Sequence, residues 1–127
     1  MILVMDTYAW IEYFKGTAAG REVEKLIGDD NNSVYTSIIT ITEVSSIFKR
    51  ENQNAEKICS IISDFSVIYG INTVLAKSAG ILHAEMRKEI KDFGIADAII
   101  LATARHLNAK IVTGDRHFKG IRETIFL

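Results

Sequence analysis

The sequence predicts a single α/β domain with a mainly parallel central sheet of about four to five strands and helices on both faces. Short apolar runs of strand length alternate with longer segments whose apolar residues recur at helical spacing. This alternation favours a parallel sheet, because parallel strands are usually joined by a helix. The chain has 127 residues and no repeat, linker or low-complexity segment. We therefore assign residues 1–127 to one domain.

The first part of the chain predicts two strands and two helices. Residues 1–5 form a continuous apolar run of strand length, and residues 7–14 place their aromatic side chains at helical spacing. Residues 18–27 carry an apolar stripe and are followed by Gly28, a residue type that commonly ends helices. A short strand is then expected at residues 33–36.

The middle of the chain predicts two further helices and a strand. Residues 38–49 and 54–65 each repeat apolar residues on one helical face. Residues 66–71 are rich in apolar and aromatic side chains and are of strand length. We expect a third strand there.

The last part of the chain predicts a long helix, a buried helix and two strands. Asn72 is a favourable N-cap for a helix that reaches about Ile90. Ile95–Leu107 is apolar on nearly all sides, which predicts a central helix covered by other elements. Lys110–Thr113 and Thr124–Phe126 are expected to be strands with a turn between them.

Four acidic residues lie in or beside apolar segments. Asp6 and Asp115 follow predicted strands, whereas Glu43 and Asp97 lie in the first turns of predicted helices. Strand carboxyl ends and the starts of the following helices share one edge of a parallel sheet, so we expect the four carboxylates to converge. Removing ionised carboxylates from water is costly unless a charge compensates them. A divalent cation would compensate all four.

Each acid also has a purely structural interpretation. Asp6 could cap the following helix, Asp97 could interact with a helix dipole, and Asp115 could close an Asx-turn. Thr40 and Glu43 have the spacing of a capping box. Convergence of all four favours a metal site, since phosphodiester cleavage uses two hard cations roughly 3.5–4 Å apart.

The four acids also stand in motifs that resemble those of a known family. In chain order these are Met5-Asp6-Thr7, Thr42-Glu43-Val44, Ile95-Ala96-Asp97-Ala98 with the apolar residues after it, and Val112-Thr113-Gly114-Asp115-Arg116-His117-Phe118. In order and spacing they resemble the PIN-domain ribonucleases, and within them the VapC toxins of VapBC toxin–antitoxin pairs. The resemblance implies Mg²⁺ or Mn²⁺ dependence, endonucleolytic cleavage of RNA, a homodimer, and inhibition by a small cognate antitoxin.

The resemblance also implies roles for individual residues. Asp6 and Asp97 are expected to bind metal directly, and Glu43 and Asp115 to complete the pocket directly or through water. Further candidates are Thr7 and Thr113 as donors to the metal ligands, and Arg116 and His117 as contacts to phosphate or leaving group. For Arg116 and His117 the alternative is an ordinary exposed turn.

Composition narrows the remaining possibilities. A net charge of −1 argues against a protein that coats nucleic acid with a large basic face. No apolar run approaches the ~20 residues that span a bilayer, the single Cys59 cannot form an internal disulfide, and the N-terminus lacks signal-peptide features. We therefore expect a cytoplasmic protein with no membrane segment.

Two alternative functions remain open. One is a housekeeping RNA-processing PIN nuclease without a toxic role, which a neighbouring gene for a short DNA-binding protein would argue against. The other is a non-catalytic signalling module with an acidic pocket, such as a phospho-acceptor receiver. A receiver is expected to carry paired acids after its first strand, whereas this chain has Asp6-Thr7.

Overall fold

The computed structural model describes residues 1–127, with helices packed on both faces of a five-stranded sheet. In chain order the elements are β1 (Ile2–Met5), α1 (Thr7–Lys15), α2 (Ala18–Gly28), β2 (Ser33–Ser37), α3 (Ile38–Arg50), α4 (Ala55–Phe65), β3 (Val67–Tyr69), α5 (Thr73–Met86), α6 (Ile95–Leu107), β4 (Lys110–Thr113), a 3₁₀ turn (Arg116–Phe118) and β5 (Thr124–Phe126). Every predicted strand and helix is present.

The sheet has the strand order β3-β2-β1-β4-β5, and all of its strands are parallel. In the central strand, Val4 lies opposite Tyr35 of β2 and Ile111 of β4. Strand order reverses at β1, since β2 and β3 extend to one side and β4 and β5 to the other. The crevice outside the carboxyl ends of β1 and β4 is where such sheets bind ligands.

Two apolar clusters cover the faces of the sheet. Val4 and Ile111 pack with side chains of α5 and α6, whereas Leu3, Met5 and Val112 pack with side chains of α1 to α4. This division follows from strand geometry, because successive side chains point to opposite faces. Six residues of α6 are buried, which confirms the prediction of a central buried helix.

The structure corrects two predicted boundaries. Helix α5 ends at Met86 rather than near Ile90, because the chain continues in turns that still bring Ile90 against the core. Strand β3 is limited to the three residues that pair with β2. Helix α2 ends at Gly28, as the sequence predicts, and α1 ends at the left-handed Gly16, with φ 66°. None of the helices is long and apolar enough to cross a membrane.

Candidate active site

The four predicted acids belong to elements that meet at the carboxyl edge of the sheet. Asp6 follows β1 directly, and its N–H donates to Val112 O across the junction with β4 at 3.2 Å. Asp115 lies two residues after β4, Glu43 in the second turn of α3, and Asp97 in the first turn of α6. The topology therefore brings together residues more than a hundred positions apart.

Asp6 is the most buried of the four acids, with 6% of its surface exposed. Its Oδ2 accepts a 2.8 Å hydrogen bond from the hydroxyl of Thr113. Burial raises the pKa of Asp6 from 3.8 to about 7; hydrogen bonds from Thr113 and the Thr7 backbone oppose the rise, and the charges of Asp97 and Glu43 add to it. Asp6 occupies the N-cap position of α1, but its side chain makes no capping hydrogen bond to the helix.

Glu43 is held by the residue that follows Asp6. Its Oε1 accepts a 2.7 Å hydrogen bond from the hydroxyl of Thr7. The N-cap of α3 is Ser37, and the buried hydroxyl of Thr40 has no hydrogen-bond partner. The capping-box interpretation of Thr40 and Glu43 is therefore wrong.

Asp97 and Asp115 are both joined to His117. Asp97 Oδ2 lies 2.9 Å from Gly94 N and 3.0 Å from His117 Nδ1. Asp115 Oδ1 accepts the backbone N–H of His117 at 2.8 Å, and the backbone N–H of Asp115 donates to Thr113 Oγ1 at 3.0 Å. Both acids therefore make the local backbone hydrogen bonds that a purely structural role would require. Each uses only one of its two carboxylate oxygens for this bond.

A common arrangement links the four carboxylates. One oxygen of each accepts a hydrogen bond from the protein, and no side chain donates to the other. No Lys or Arg forms an ion pair with any of them. Potential ligand atoms of Asp97, Asp115 and His117 lie within 4.8 Å of one another. Carboxylate oxygens are the donors that Mg²⁺ and Mn²⁺ prefer, so Asp97 and Asp115 fit such an ion. Asp6 and Glu43 belong to no group with this close spacing of ligand atoms.

The other predicted site residues differ in their placement. Thr7 and Thr113 both donate to acids of the site. The side chain of His117 is only 19% exposed, so this residue is not an ordinary exposed turn residue. The side chain of Arg116 is 79% exposed and its Nη2 lies 3.3 Å from Asp92 Oδ2, outside the carboxylate group.

Two contributors were not found from the sequence. The backbone N–H of Gly94 holds Asp97, and Tyr8 packs its ring against Gly114 at the edge of the site. Backbone donors carry no sequence signature. The one sequence signal that points to Tyr8 is its position directly after Asp6-Thr7.

Fold and site together define an α/β protein with a group of carboxylates at the topological switch point of its sheet. Residues 3–123 match the PIN domain family. The chain belongs to this family, which removes the basis for the receiver alternative. A sequence search of curated proteins finds no match.

Solved structures with the same fold cover nearly all of the chain. The VapBC2 complex of Rickettsia felis bound to promoter DNA is 22% identical, covers 100% of this chain and 98% of its own, and has a TM-score of 0.75. A toxin–antitoxin complex from Klebsiella pneumoniae is 26% identical, covers 97% of this chain and 95% of its own, and has a TM-score of 0.70. VapC20 of Mycobacterium tuberculosis, a sarcin-ricin loop cleaving toxin, is 18% identical, covers 94% of this chain and 95% of its own, and has a TM-score of 0.76.

Proposed function

We propose that this protein is a metal-dependent endoribonuclease and the toxin of a type II toxin–antitoxin pair. The observation that carries the proposal is the group of four carboxylates, each held through one oxygen, at the carboxyl edge of a PIN-family sheet. A structural role alone would not require four acids to converge without a compensating Lys or Arg. The structural neighbours support the toxin role, since they are toxin–antitoxin complexes or toxins.

Asp6, Glu43, Asp97 and Asp115 would hold Mg²⁺ or Mn²⁺. Such ions supply an activated water and neutralise charge on a phosphodiester. The protein's own contribution is orientation, because Thr113 and Thr7 fix the carboxylates of Asp6 and Glu43. The raised pKa of Asp6 comes first from its burial and then from the charges of Asp97 and Glu43, and a bound cation would offset both.

The proposed substrate is single-stranded or loop RNA. Single-stranded and loop RNA can splay its bases apart and bring one backbone phosphate to the carboxylates, whereas a regular duplex keeps its bases stacked. The exposed Arg116, next to Asp115, is available to contact a neighbouring phosphate. The net charge of −1 is consistent with recognition at one site rather than along a broad basic surface.

The proposed partners are a small cognate antitoxin and a second copy of the chain, in the cytoplasm. No Lys or Arg of this chain pairs with the four carboxylates. An inhibitor could therefore insert an Arg, whose planar guanidinium group can bind two carboxylates at once. Inhibition would then use the same carboxylates that bind the metal.

Brief induction of this protein in cells tests the proposed function. The ends of cellular RNAs are sequenced soon after induction, before growth slows. We expect new ends at a small set of RNA loops, and none with Asp97→Asn. Asp30→Asn, an exposed acid in the loop before β2, is the matched control and should give the wild-type ends. Coexpression of a short DNA-binding protein from a neighbouring gene should suppress them. Cleavage without toxicity or suppression would favour the housekeeping alternative, and unchanged RNA ends would contradict both.

A further inference from the structure

His117 lies between two of the four carboxylates. Its Nδ1 is 3.0 Å from Asp97 Oδ2 and 3.6 Å from Asp115 Oδ1. Its backbone N–H donates to Asp115 Oδ1 at 2.8 Å. The residue therefore touches both acids, one through its ring and the other mainly through its backbone.

The hydrogen-bond pattern determines which ring nitrogen carries a proton. A carboxylate oxygen can only accept, so the 3.0 Å contact to Asp97 requires a proton on Nδ1. The other ring nitrogen, Nε2, is buried and has no partner. The hydrogen bond that orients the ring is therefore the one to Asp97, and the ring of Phe93 packs edge-on against it with 6.5 Å between the ring centroids.

This contact also determines which oxygen of Asp97 remains available. Oδ2 is occupied by two donors, His117 Nδ1 and Gly94 N, whereas no side chain donates to Oδ1. We propose that His117 is a positioning residue that holds Asp97 so that Oδ1 alone is offered to the cation, and that His117 does not itself bind the metal. The proposal rests on the proposed function only in assigning a metal to this site.

Two substitutions separate positioning from direct metal binding. His117→Asn retains an N–H donor close to the place of Nδ1, whereas His117→Leu keeps bulk but removes the donor. Mn²⁺ binding to the RNA-free protein is measured by calorimetry, at a temperature where each metal-free variant is folded. We expect His117→Leu to weaken Mn²⁺ binding about 10–100-fold and His117→Asn to recover most of that loss. In an Asp97→Asn background, His117→Leu should add little further loss.

The outcomes are distinct. Unchanged Mn²⁺ affinity in His117→Leu would show that the ring does not position Asp97. Equal losses in both variants would assign His117 as a metal ligand and overturn the positioning role. If His117→Leu does not fold, His117→Ala provides the same comparison. Wild-type protein that binds Mn²⁺ but cleaves no RNA would contradict the proposed function and leave the His117 result intact.

A second feature, independent of His117, concerns Tyr8. It lies in the first turn of α1, and its ring packs against Gly114, between Thr113 and Asp115. A β-carbon at Gly114 would lie 2.7 Å from Tyr8 Cζ and 3.0 Å from its hydroxyl oxygen. Gly114 does not have a positive φ, so its backbone does not require glycine. The missing side chain instead makes room for the ring.

Tyr8 is an exposed aromatic residue beside a charged site. Tyr8 is 37% exposed, and its ring lies beside Gly114, the residue before Asp115. Proteins bind unstacked RNA bases on aromatic side chains in such positions. We infer that Tyr8 stacks on a base next to the cleaved phosphate, if the protein cleaves RNA as proposed.

The test compares two side chains that can both cover Gly114. Tyr8→Phe keeps the aromatic ring and should retain activity, whereas Tyr8→Leu should raise KM about 5–150-fold with little change in kcat. An RNA with one abasic nucleotide beside the cleaved bond should remove the difference between the variants. Mn²⁺ affinity should be the same in all three proteins.

Other results would overturn this inference. Equal losses in Tyr8→Phe and Tyr8→Leu would assign the effect to the hydroxyl group. If the raised KM of Tyr8→Leu persists when the nucleotides on both sides of the cleaved bond are abasic, Tyr8 acts only by packing against Gly114. Failure of the wild-type protein to cleave any RNA would count against the proposed function instead.

Discussion

The hydroxyl of Thr113 donates a 2.8 Å hydrogen bond to Oδ2 of the buried Asp6, joining residues 107 positions apart. The bond connects the ends of β1 and β4 at the point where strand order reverses. Its effect is to fix one oxygen of the most buried acid in the site. The same hydroxyl accepts the backbone N–H of Asp115 at 3.0 Å, so Thr113 orients two of the four acids.

Replacing Thr113 should therefore damage both the site and the fold. Thr113→Val keeps the shape but removes the donor to Asp6, and we expect metal affinity to fall about 10–100-fold. Stability should fall by about 1–3 kcal/mol, because a buried acceptor loses its partner. Calorimetric Mn²⁺ titration and urea unfolding measure the two effects. Thr103 is an equally buried threonine whose hydroxyl binds Ile99 O within α6. Thr103→Val should leave metal affinity unchanged, and equal metal affinity in both variants would contradict the role of Thr113.

Asp6 should make the stability of the metal-free protein depend on pH. Its carboxyl group keeps its proton up to about pH 7 in the folded protein, against an ordinary value of 3.8. The folded state then binds more protons between these values, so stability falls as pH rises through that window and levels off above about 7. Each pKa unit corresponds to roughly 1.4 kcal/mol.

Asp6→Asn should remove this dependence and be as stable as, or more stable than, the wild-type protein at pH 8. Urea unfolding of both metal-free proteins from pH 4 to pH 8 provides the measurement. Parallel stability curves for the two proteins would show that Asp6 is ionised throughout.

Metal binding should stabilise the fold. A ligand that binds only the folded state contributes ~2.7 kcal/mol at a hundredfold excess over its dissociation constant, which raises Tm by roughly 10 °C in a domain of this size. Thermal scans with Mg²⁺ or Mn²⁺ should show this rise in the wild-type protein and in Asp30→Asn. Asp97→Asn should lose most of it while its metal-free Tm is not lowered. If Asp97→Asn and Asp6→Asn both unfold the metal-free protein, the acids serve the fold and not a metal site.

The proposed antitoxin should inhibit through a basic side chain. Replacing each Arg and Lys in its toxin-binding segment with Gln should weaken inhibition at least tenfold, since the carboxylates would lose their partner. Titration of cleavage activity with each antitoxin variant measures the loss. The control replaces an equal number of basic residues outside that segment. Unchanged inhibition after loss of all basic residues would show that the antitoxin acts by steric cover alone.

The sequence predicted most of the fold because apolar spacing distinguishes the two kinds of element. The continuous apolar run before Asp6 predicts a buried strand, and the nearly uniform apolar segment Ile95–Leu107 predicts a buried helix. The structure has β1 and α6 at these positions, both largely buried. The end of α5 was misplaced because Ile90 keeps helical spacing with Met86, yet it reaches the core from a turn.

The convergence of the four acids was also predictable, because parallel topology places strand ends and helix starts at one edge. Their individual partners were not. Local sequence favoured a capping box for Glu43, whereas the structure pairs it with Thr7, 36 residues away. The contact of His117 with Asp97 depends on the path of the 3₁₀ turn, which the local sequence does not specify.

Metal-dependent cleavage of RNA by the purified protein tests the central claim most directly. A loop-containing RNA is incubated with the wild-type protein, Asp97→Asn and Asp30→Asn, in Mg²⁺, in Mn²⁺ and in excess chelator. We expect the wild-type protein and Asp30→Asn to cut the RNA internally with either ion and not with chelator, and Asp97→Asn to be inactive throughout. Undiminished cleavage in excess chelator, or by Asp97→Asn, would contradict the account.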